Sequence, residues 1–103
     1  MKRIVVSHGK ENVKEELYAI VDHGAKVLDV IVEHSVYGQI SAGLNLSSRY
    51  DVDNFVRKIK ETGANPLSLL TEGLHIHTIV VKDDDSFKAI VESLTAMKVL
   101  IEY

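Results

Sequence analysis

Two histidines with one residue between them, His75-Ile76-His77, are the most chemically specific feature of the sequence. On a β-strand alternate side chains share a face, so the two imidazoles project together, roughly 6.6–6.8 Å apart along the strand. Rings at that spacing can lean onto one metal ion through neutral nitrogens, as in zinc, nickel and iron sites. The alternative is a pair of histidines on a solvated face, since the motif is short. His8 shifts the balance, because it sits at the mouth of the first helical segment and no core pattern requires it. Glu16 follows eight residues later, at the edge of the apolar stripe formed by Val13, Leu17 and Ile20, whereas Glu15 points almost directly away from it. Glu16 can therefore reach inward while Glu15 stays in water. Otherwise Glu16 is a surface carboxylate beside lysines, worth little. If the first strand neighbours the strand carrying His75, then His8, Glu16, His75 and His77 converge. Three nitrogens and a carboxylate oxygen suit a divalent transition metal, with positions left open for an outside ligand.

A second constellation is Ser47-Ser48-Arg49 at the start of a predicted helix. Amides exposed at a helix start attract anions, and two hydroxyls with a guanidinium add charge-assisted hydrogen bonds for a carboxylate or phosphate. The plainer reading is capping by Ser48 or Asp51, with Arg49 solvated. His23 ends the first helix, where an imidazolium favours the dipole. His34 ends a strand and falls in line with Leu28, Val30 and Val32. It is either a half-buried structural residue or a donor in a pocket wall.

The elements that must position these groups are legible from periodicity. Ile4-Val5-Val6 reads as a first strand, and residues 11–23 take helical spacing with Gly24 as the stop. Residues 26–34 and 39–46 read as an antiparallel hairpin across a turn at Ser35 to Gly38, with Ile40, Ala42, Leu44 and Leu46 on one face. A second helix runs from Ser47, Ser48 or Asp51 to about Thr62, with the stripe Val52, Phe55, Val56 and Ile59, and ends at Gly63 and Pro66. After apolar Leu67 to Leu70 and the turn-like Thr71-Glu72-Gly73, a strand spans about His75 to Lys82. Asp83 to Ser86 open a third helix with the stripe Phe87, Ile90, Val91 and Leu94, and Val99-Leu100-Ile101 offers a short edge strand. The order βαββαβα predicts an α+β two-layer sandwich, a mostly antiparallel sheet with helices on one face.

Composition narrows the function classes. The chain has 103 residues, 46% hydrophobic and 26% charged, which suits one globular domain able to bury a core without staples. Net charge is −3, against the basic face that phosphate binding needs. The basic residues Arg57, Lys58 and Lys60 make only a short touch. Cysteine is absent, so disulfides, thiolate ligands and cysteine nucleophiles are excluded. No apolar run approaches a membrane span, and the N-terminus does not read as a signal peptide. A cytoplasmic protein is expected.

Three blocks carry a resemblance to a known family: Val30-Ile31-Val32-Glu33-His34-Ser35-Val36-Tyr37-Gly38, then Ser47-Ser48-Arg49-Tyr50-Asp51-Val52, then Pro66-Leu67-Ser68-Leu69-Leu70-Thr71-Glu72-Gly73-Leu74-His75-Ile76-His77-Thr78-Ile79. The sequence resembles the three-histidine (3H) domain from about His8 onward. This is the regulatory domain of niacin-responsive bacterial repressors of NAD biosynthesis and salvage. The resemblance implies an HPr-like fold, a metal site at His8, Glu16, His75 and His77, and nicotinic acid as corepressor. It also implies homodimers that reach DNA through a winged helix-turn-helix domain. No such domain is recognised within residues 1–103, so the whole chain is expected to be a single ligand- and metal-binding domain, stand-alone or excised. Arg49 with Ser47 or Ser48 is a candidate for the effector's carboxylate. A metal-dependent enzyme or a histidine phosphocarrier of the same fold is the competing reading. No catalytic residue is assigned.

Overall fold

The computed structural model describes residues 1–63 and 67–103, leaving aside the side chains of Lys10, Ser68 and Leu69. Pro66, expected to help end the second helix, lies outside the described residues. Among the described residues, five strands and three helices follow the expected order: β1 (Lys2–Ser7), α1 (Val13–Val21), β2 (Lys26–His34), β3 (Gly38–Leu46), α2 (Arg49–Thr62), β4 (Leu74–Val80), α3 (Asp84–Ala96) and β5 (Leu100–Glu102). Short 3-10 turns at Lys10–Asn12 and Leu67–Thr71 precede α1 and β4.

Local chemistry sets the boundaries. Ser48 caps α2, its hydroxyl accepting from the Asp51 N–H at 3.1 Å, and Gly63 ends the helix in the left-handed region at φ 69°. Asp83 caps α3 in the same way, its carboxylate accepting from the Ser86 N–H at 2.7 Å. β4 stops at Val80 rather than Lys82, because its partners run out there: Val80 pairs with Lys26, where β2 begins, and Ile79 with Lys2, where β1 begins. Helix α1 is shorter than the predicted 11–23, because its first residues tighten into the 3-10 turn and its last N–H groups close on Tyr18 and Ile20 carbonyls.

The sheet is antiparallel throughout, in the order β3-β2-β4-β1-β5. Its core side chains include Ile4, Val6, Val27, Leu46 and Ile79, packed against Leu17 and Ile20 of α1, Val52 of α2 and Ile90 and Leu94 of α3. This is the expected α+β architecture. Each fully buried aliphatic side chain of this kind contributes about 1.5–3 kcal/mol.

Two features of the sheet position the histidines. First, β1 and β4 are neighbours, with Ile4 opposite His77 and Val6 opposite His75. Residues directly opposed in an antiparallel pair share a face, so both histidines stand on the face covered by the helices. Second, β2 changes phase. Val27 pairs with Ile79 and Ile31 with Ile76, which lie on opposite faces of β4, and a register shift falls between them. Strict alternation placed Leu28 with Val30 and Val32. In the structure Val27 is fully buried instead, and Leu28 is half-buried. The β2–β3 pairing also shifts there, between Val27 and Asp29, so β3 keeps only Leu46 fully inside while Ala42 is exposed.

Candidate metal centre

His8 leaves the end of β1, Glu16 hangs from α1, and His75 and His77 rise from β4. All four are buried, at 8%, 1%, 3% and 3% exposure respectively. Glu16 lies on the inner face of α1 while Glu15 is exposed, as the helical spacing requires. The four side chains meet. His8 Nε2 contacts Glu16 Oε2, His75 Nε2 lies 3.2 Å from the same oxygen, and His77 Nε2 lies 2.6 Å from Oε1. The rings of His8 and His75, and of His75 and His77, stand edge to face with centroids 4.8 Å apart. His8, Glu16 and His75 offer ligand atoms that all lie within 4.8 Å of one another.

The other nitrogen of each ring is committed to the backbone. Nδ1–H of His8 donates to the Gly9 carbonyl at 2.7 Å, that of His75 to Gly73 at 2.8 Å, and that of His77 to Asp29 at 2.7 Å. A carbonyl oxygen only accepts, so each Nδ1 carries a proton and each neutral ring presents its Nε2 lone pair to Glu16. Lone pairs facing a carboxylate repel it unless a cation lies among them or the rings are protonated. Although His77 Nε2 is close to Glu16 Oε1, the approach is misaligned, and Oε1 has no hydrogen-bond partner among the described residues. Fixed tautomers and an orphaned carboxylate oxygen fit a transition-metal ion held by Nε2 atoms and a carboxylate.

With no ion among them, His8 and His77 hold their protons more tightly than a free imidazole. Burial acts to lower the pKa of His8, but the hydrogen bond and charge of Glu16 outweigh it and raise it. His77 is raised in the same way, against burial, by the charge and contact of Glu16 and by the Asp29 carbonyl. Burial would raise the Glu16 carboxyl, yet the charge of His77 and the contacts with all three rings hold it well below its ordinary value. The cluster is a buried anion surrounded by imidazoles.

The structure does not bring Arg49, Ser47 or Ser48 into this cluster. Arg49 makes a two-pronged ion pair with Asp22 at the end of α1, at 2.7 and 2.6 Å, and its guanidinium lies 4.1 Å from the Tyr18 ring centroid. Ser48 caps α2, and Ser47 donates from its N–H and hydroxyl to Asp51 at 3.0 and 3.2 Å. His34 Nδ1 accepts from the N–H groups of Val36 and Tyr37 at 3.1 and 3.3 Å, so it pins the β2–β3 turn. His23 follows α1, with its Nε2 3.5 Å from the Ser93 hydroxyl.

Asp29 and Gly73 were missed as parts of the site. Asp29 offers its carbonyl to His77 and its carboxylate to the Thr78 N–H at 2.9 Å, locking the irregular stretch of β2 onto β4. Its signal in the sequence was a lone acid inside an apolar strand. Gly73 accepts from His75 and also from the His8 N–H at 3.3 Å. It has φ 96°, and a Cβ there would sit 2.3 Å from the His8 carbonyl oxygen.

The 3H domain family matches residues 1–103. Over 99 residues, 96% of the chain, the sequence is 39% identical to the transcription repressor NadR of Bacillus subtilis, and this covers 55% of that protein. A second relative, the probable transcription repressor NiaR of Thermotoga maritima, is 38% identical over 99 residues, 96% of the chain and 57% of its own length. The chain spans a little over half the length of these repressors.

Proposed function

The chain belongs to the 3H domain family, and on that footing we propose that it is a metal-dependent sensor for nicotinic acid. In this reading it is the corepressor-binding part of a transcriptional repressor of NAD biosynthesis or salvage genes. The observation that supports the metal is the set of three Nε2 atoms aimed at one buried carboxylate, with every Nδ1 proton already placed on a backbone carbonyl. His8, Glu16, His75 and His77 would hold the ion, nickel or zinc. When bound, it supplies a Lewis-acidic position for the pyridine nitrogen or carboxylate of the effector. The protein's part is to fix the rings, exclude water and present that position to one side.

This reading assigns no catalytic residue, and both relatives are named as repressors rather than enzymes. A phosphocarrier role needs an imidazole nitrogen open to a phosphoryl donor, whereas His8 is buried with its Nε2 against the Glu16 carboxylate. We place the protein in the cytoplasm as a homodimer that reaches DNA through an attached or partner helix-turn-helix domain. No helix among the described residues is long and apolar enough to cross a membrane. For Arg49 to hold the effector's carboxylate with Ser47 or Ser48, it would have to leave Asp22. If it does, Arg49→Ala loses discrimination between nicotinate and nicotinamide; unchanged discrimination removes Arg49 from the site.

The test pairs elemental analysis with calorimetric titration of nicotinate, before and after chelation and with nickel or zinc restored. About one equivalent of metal and metal-dependent nicotinate binding are expected. Equal nicotinate affinity after complete chelation would overturn direct ligation.

A further inference from the structure

Strand β4 is patterned in reverse for a strand with one covered face. His75, His77 and Ile79 point toward the helices, whereas Leu74, Ile76, Thr78 and Val80 point away from them. An antiparallel sheet with one wet face ordinarily turns its polar residues to that side. Here the uncovered face carries an apolar strip instead. In its middle row Val5, Ile76 and Ile31 stand directly opposite one another across β1, β4 and β2. Leu74 and Val80 extend the strip along β4, at 46% and 41% exposure. A shallow groove of about 300 Å³ crosses it, lined among others by Val5, Ile31, Leu74 and Ile76, with exposed Glu33 and Glu102 at its margin.

Two charges frame this strip symmetrically. Arg3 stands one strand from Ile76, on β1, two residues along from Val5 toward Thr78. Glu33 stands one strand away on the other side, on β2, two residues along from Ile31 toward Leu74. The cation and the anion therefore lie in opposite directions from Ile76, roughly 8 Å each way at ordinary sheet spacings. Both are exposed, and neither has an ion-pair partner among the described residues. A surface arranged in this way is complementary to itself, the requirement for a two-fold contact. Its size is adequate: five strands about 20 Å long present roughly 500 Å² per copy and roughly 1,000 Å² per pair, the lower bound for a specific interface.

We propose that this face is the contact between two copies of the chain, packed sheet to sheet about a two-fold axis through Ile76. The inference rests on the homodimer reading above and gives that dimer its surface. Each Arg3 meets Glu33 of the other copy, twice per dimer, while Ile76, Val5 and Ile31 leave water. Bringing those charges together makes the strands of the two sheets cross steeply, in the orthogonal class of sheet packing. Aligned sheets would instead set Glu33 against Asp29 or Ser7 of the other copy and leave fewer charges paired. The matched spacing of Arg3 and Glu33 about one residue selects a second copy over an unrelated protein. Strand β4 then holds the histidines on one face and the partner on the other, alternating residue by residue.

The chain contains no cysteine, so each substitution to cysteine is a single reporter. Ile76→Cys lies on the axis and is expected to form an intermolecular disulfide under mild oxidation. Ser41→Cys, on the same face but on edge strand β3, is expected not to. Sedimentation over a concentration series is expected to show a monomer–dimer equilibrium. Arg3→Glu sets two acid pairs in contact and should weaken that equilibrium roughly tenfold or more, and adding Glu33→Arg should restore it. Both side chains are exposed, so helix content by circular dichroism is expected to match the wild type in each variant. A dimer cross-linked through Ser41→Cys and not through Ile76→Cys is paired along β3, which overturns this face and leaves the homodimer standing. A dimer whose strength Arg3→Glu leaves unchanged has the same consequence. Wild-type protein that stays monomeric throughout the series overturns the homodimer reading and this inference with it.

Discussion

At the scale of single residues, Glu16 carries the most consequence. A carboxylate 1% exposed is costly unless compensated, and its compensation is the three imidazoles packed against it. His8 and His77 have raised pKa values in the fold, so their pairing with Glu16 stabilises the metal-free protein fully below about pH 6.5. That stabilisation is lost as pH rises through the raised values. Glu16 is held low, so its contribution is present above its ordinary carboxyl range and is lost as pH falls through the depressed value. Metal-free protein is therefore expected to be most stable near pH 5–6 and to weaken toward pH 8. Metal binding requires neutral rings and should remove the loss at the alkaline side. Urea denaturation at four pH values, with and without chelator, measures this; a flat metal-free profile would contradict it. Glu16→Gln should abolish the slope and lower zinc or nickel affinity by well over tenfold, read by competition with a chromophoric chelator.

Elements contribute through their irregularities. The phase change in β2 presents the Asp29 carbonyl to His77 and the Asp29 carboxylate to the Thr78 N–H. Asp29→Ala leaves that buried N–H unpaired and should cost about 1–3 kcal/mol. The backbone carbonyl on His77 survives the substitution, so metal affinity should fall only through the loosened β2–β4 junction, by less than the roughly 10–100-fold of losing a ligand's outer partner outright. Asp29→Asn keeps an acceptor oxygen and should restore most of both; loss equal to that of alanine would show that the amide is no substitute for the carboxylate. Gly73 is the other irregular point. Gly73→Ala forces a Cβ against the His8 carbonyl at positive φ, with strain of about 1–3 kcal/mol before the clash is counted. A lower denaturation midpoint together with reduced metal content is expected, because the same carbonyl anchors His75 and the His8 backbone.

Much of this level was legible from residue order alone. The strands, helices and caps follow from periodicity and from Ser48, Gly63 and Asp83, and the inward face of Glu16 follows from 100° per residue. The displaced alternation in β2 was not legible, because a bulge is decided jointly by two neighbouring strands. Arg49 was legible as a charge at a helix start. Its partner Asp22, 27 residues away, was not.

Across the whole molecule, the histidine–glutamate cluster ties β1, α1 and β4 together, the layers on which the core is built. Binding a ligand to the native state alone stabilises it in proportion to the logarithm of free ligand, about 2.7 kcal/mol at 100 times Kd. Thermal denaturation should accordingly shift upward with zinc or nickel concentration, and His75→Ala or His77→Ala should flatten the dependence. An equal shift in the histidine variants would locate the stabilising ion elsewhere. The net charge of −3 predicts that the chain alone gives no mobility shift of duplex DNA at physiological salt.

Sequence by itself determined which side chains share a strand face or a helix face, because that parity is a local property of backbone geometry. It thereby put His75 and His77 on one face and turned Glu16 inward, which made them and His8 candidates for one site. Tertiary structure decided that β1 lies beside β4, which turns those donors into one cluster. It also decided that Gly9, Asp29 and Gly73 carbonyls orient the rings. Strand adjacency is a contest among distant segments, and a carbonyl oxygen is the same in every residue. Neither leaves a mark that a single segment of sequence can show.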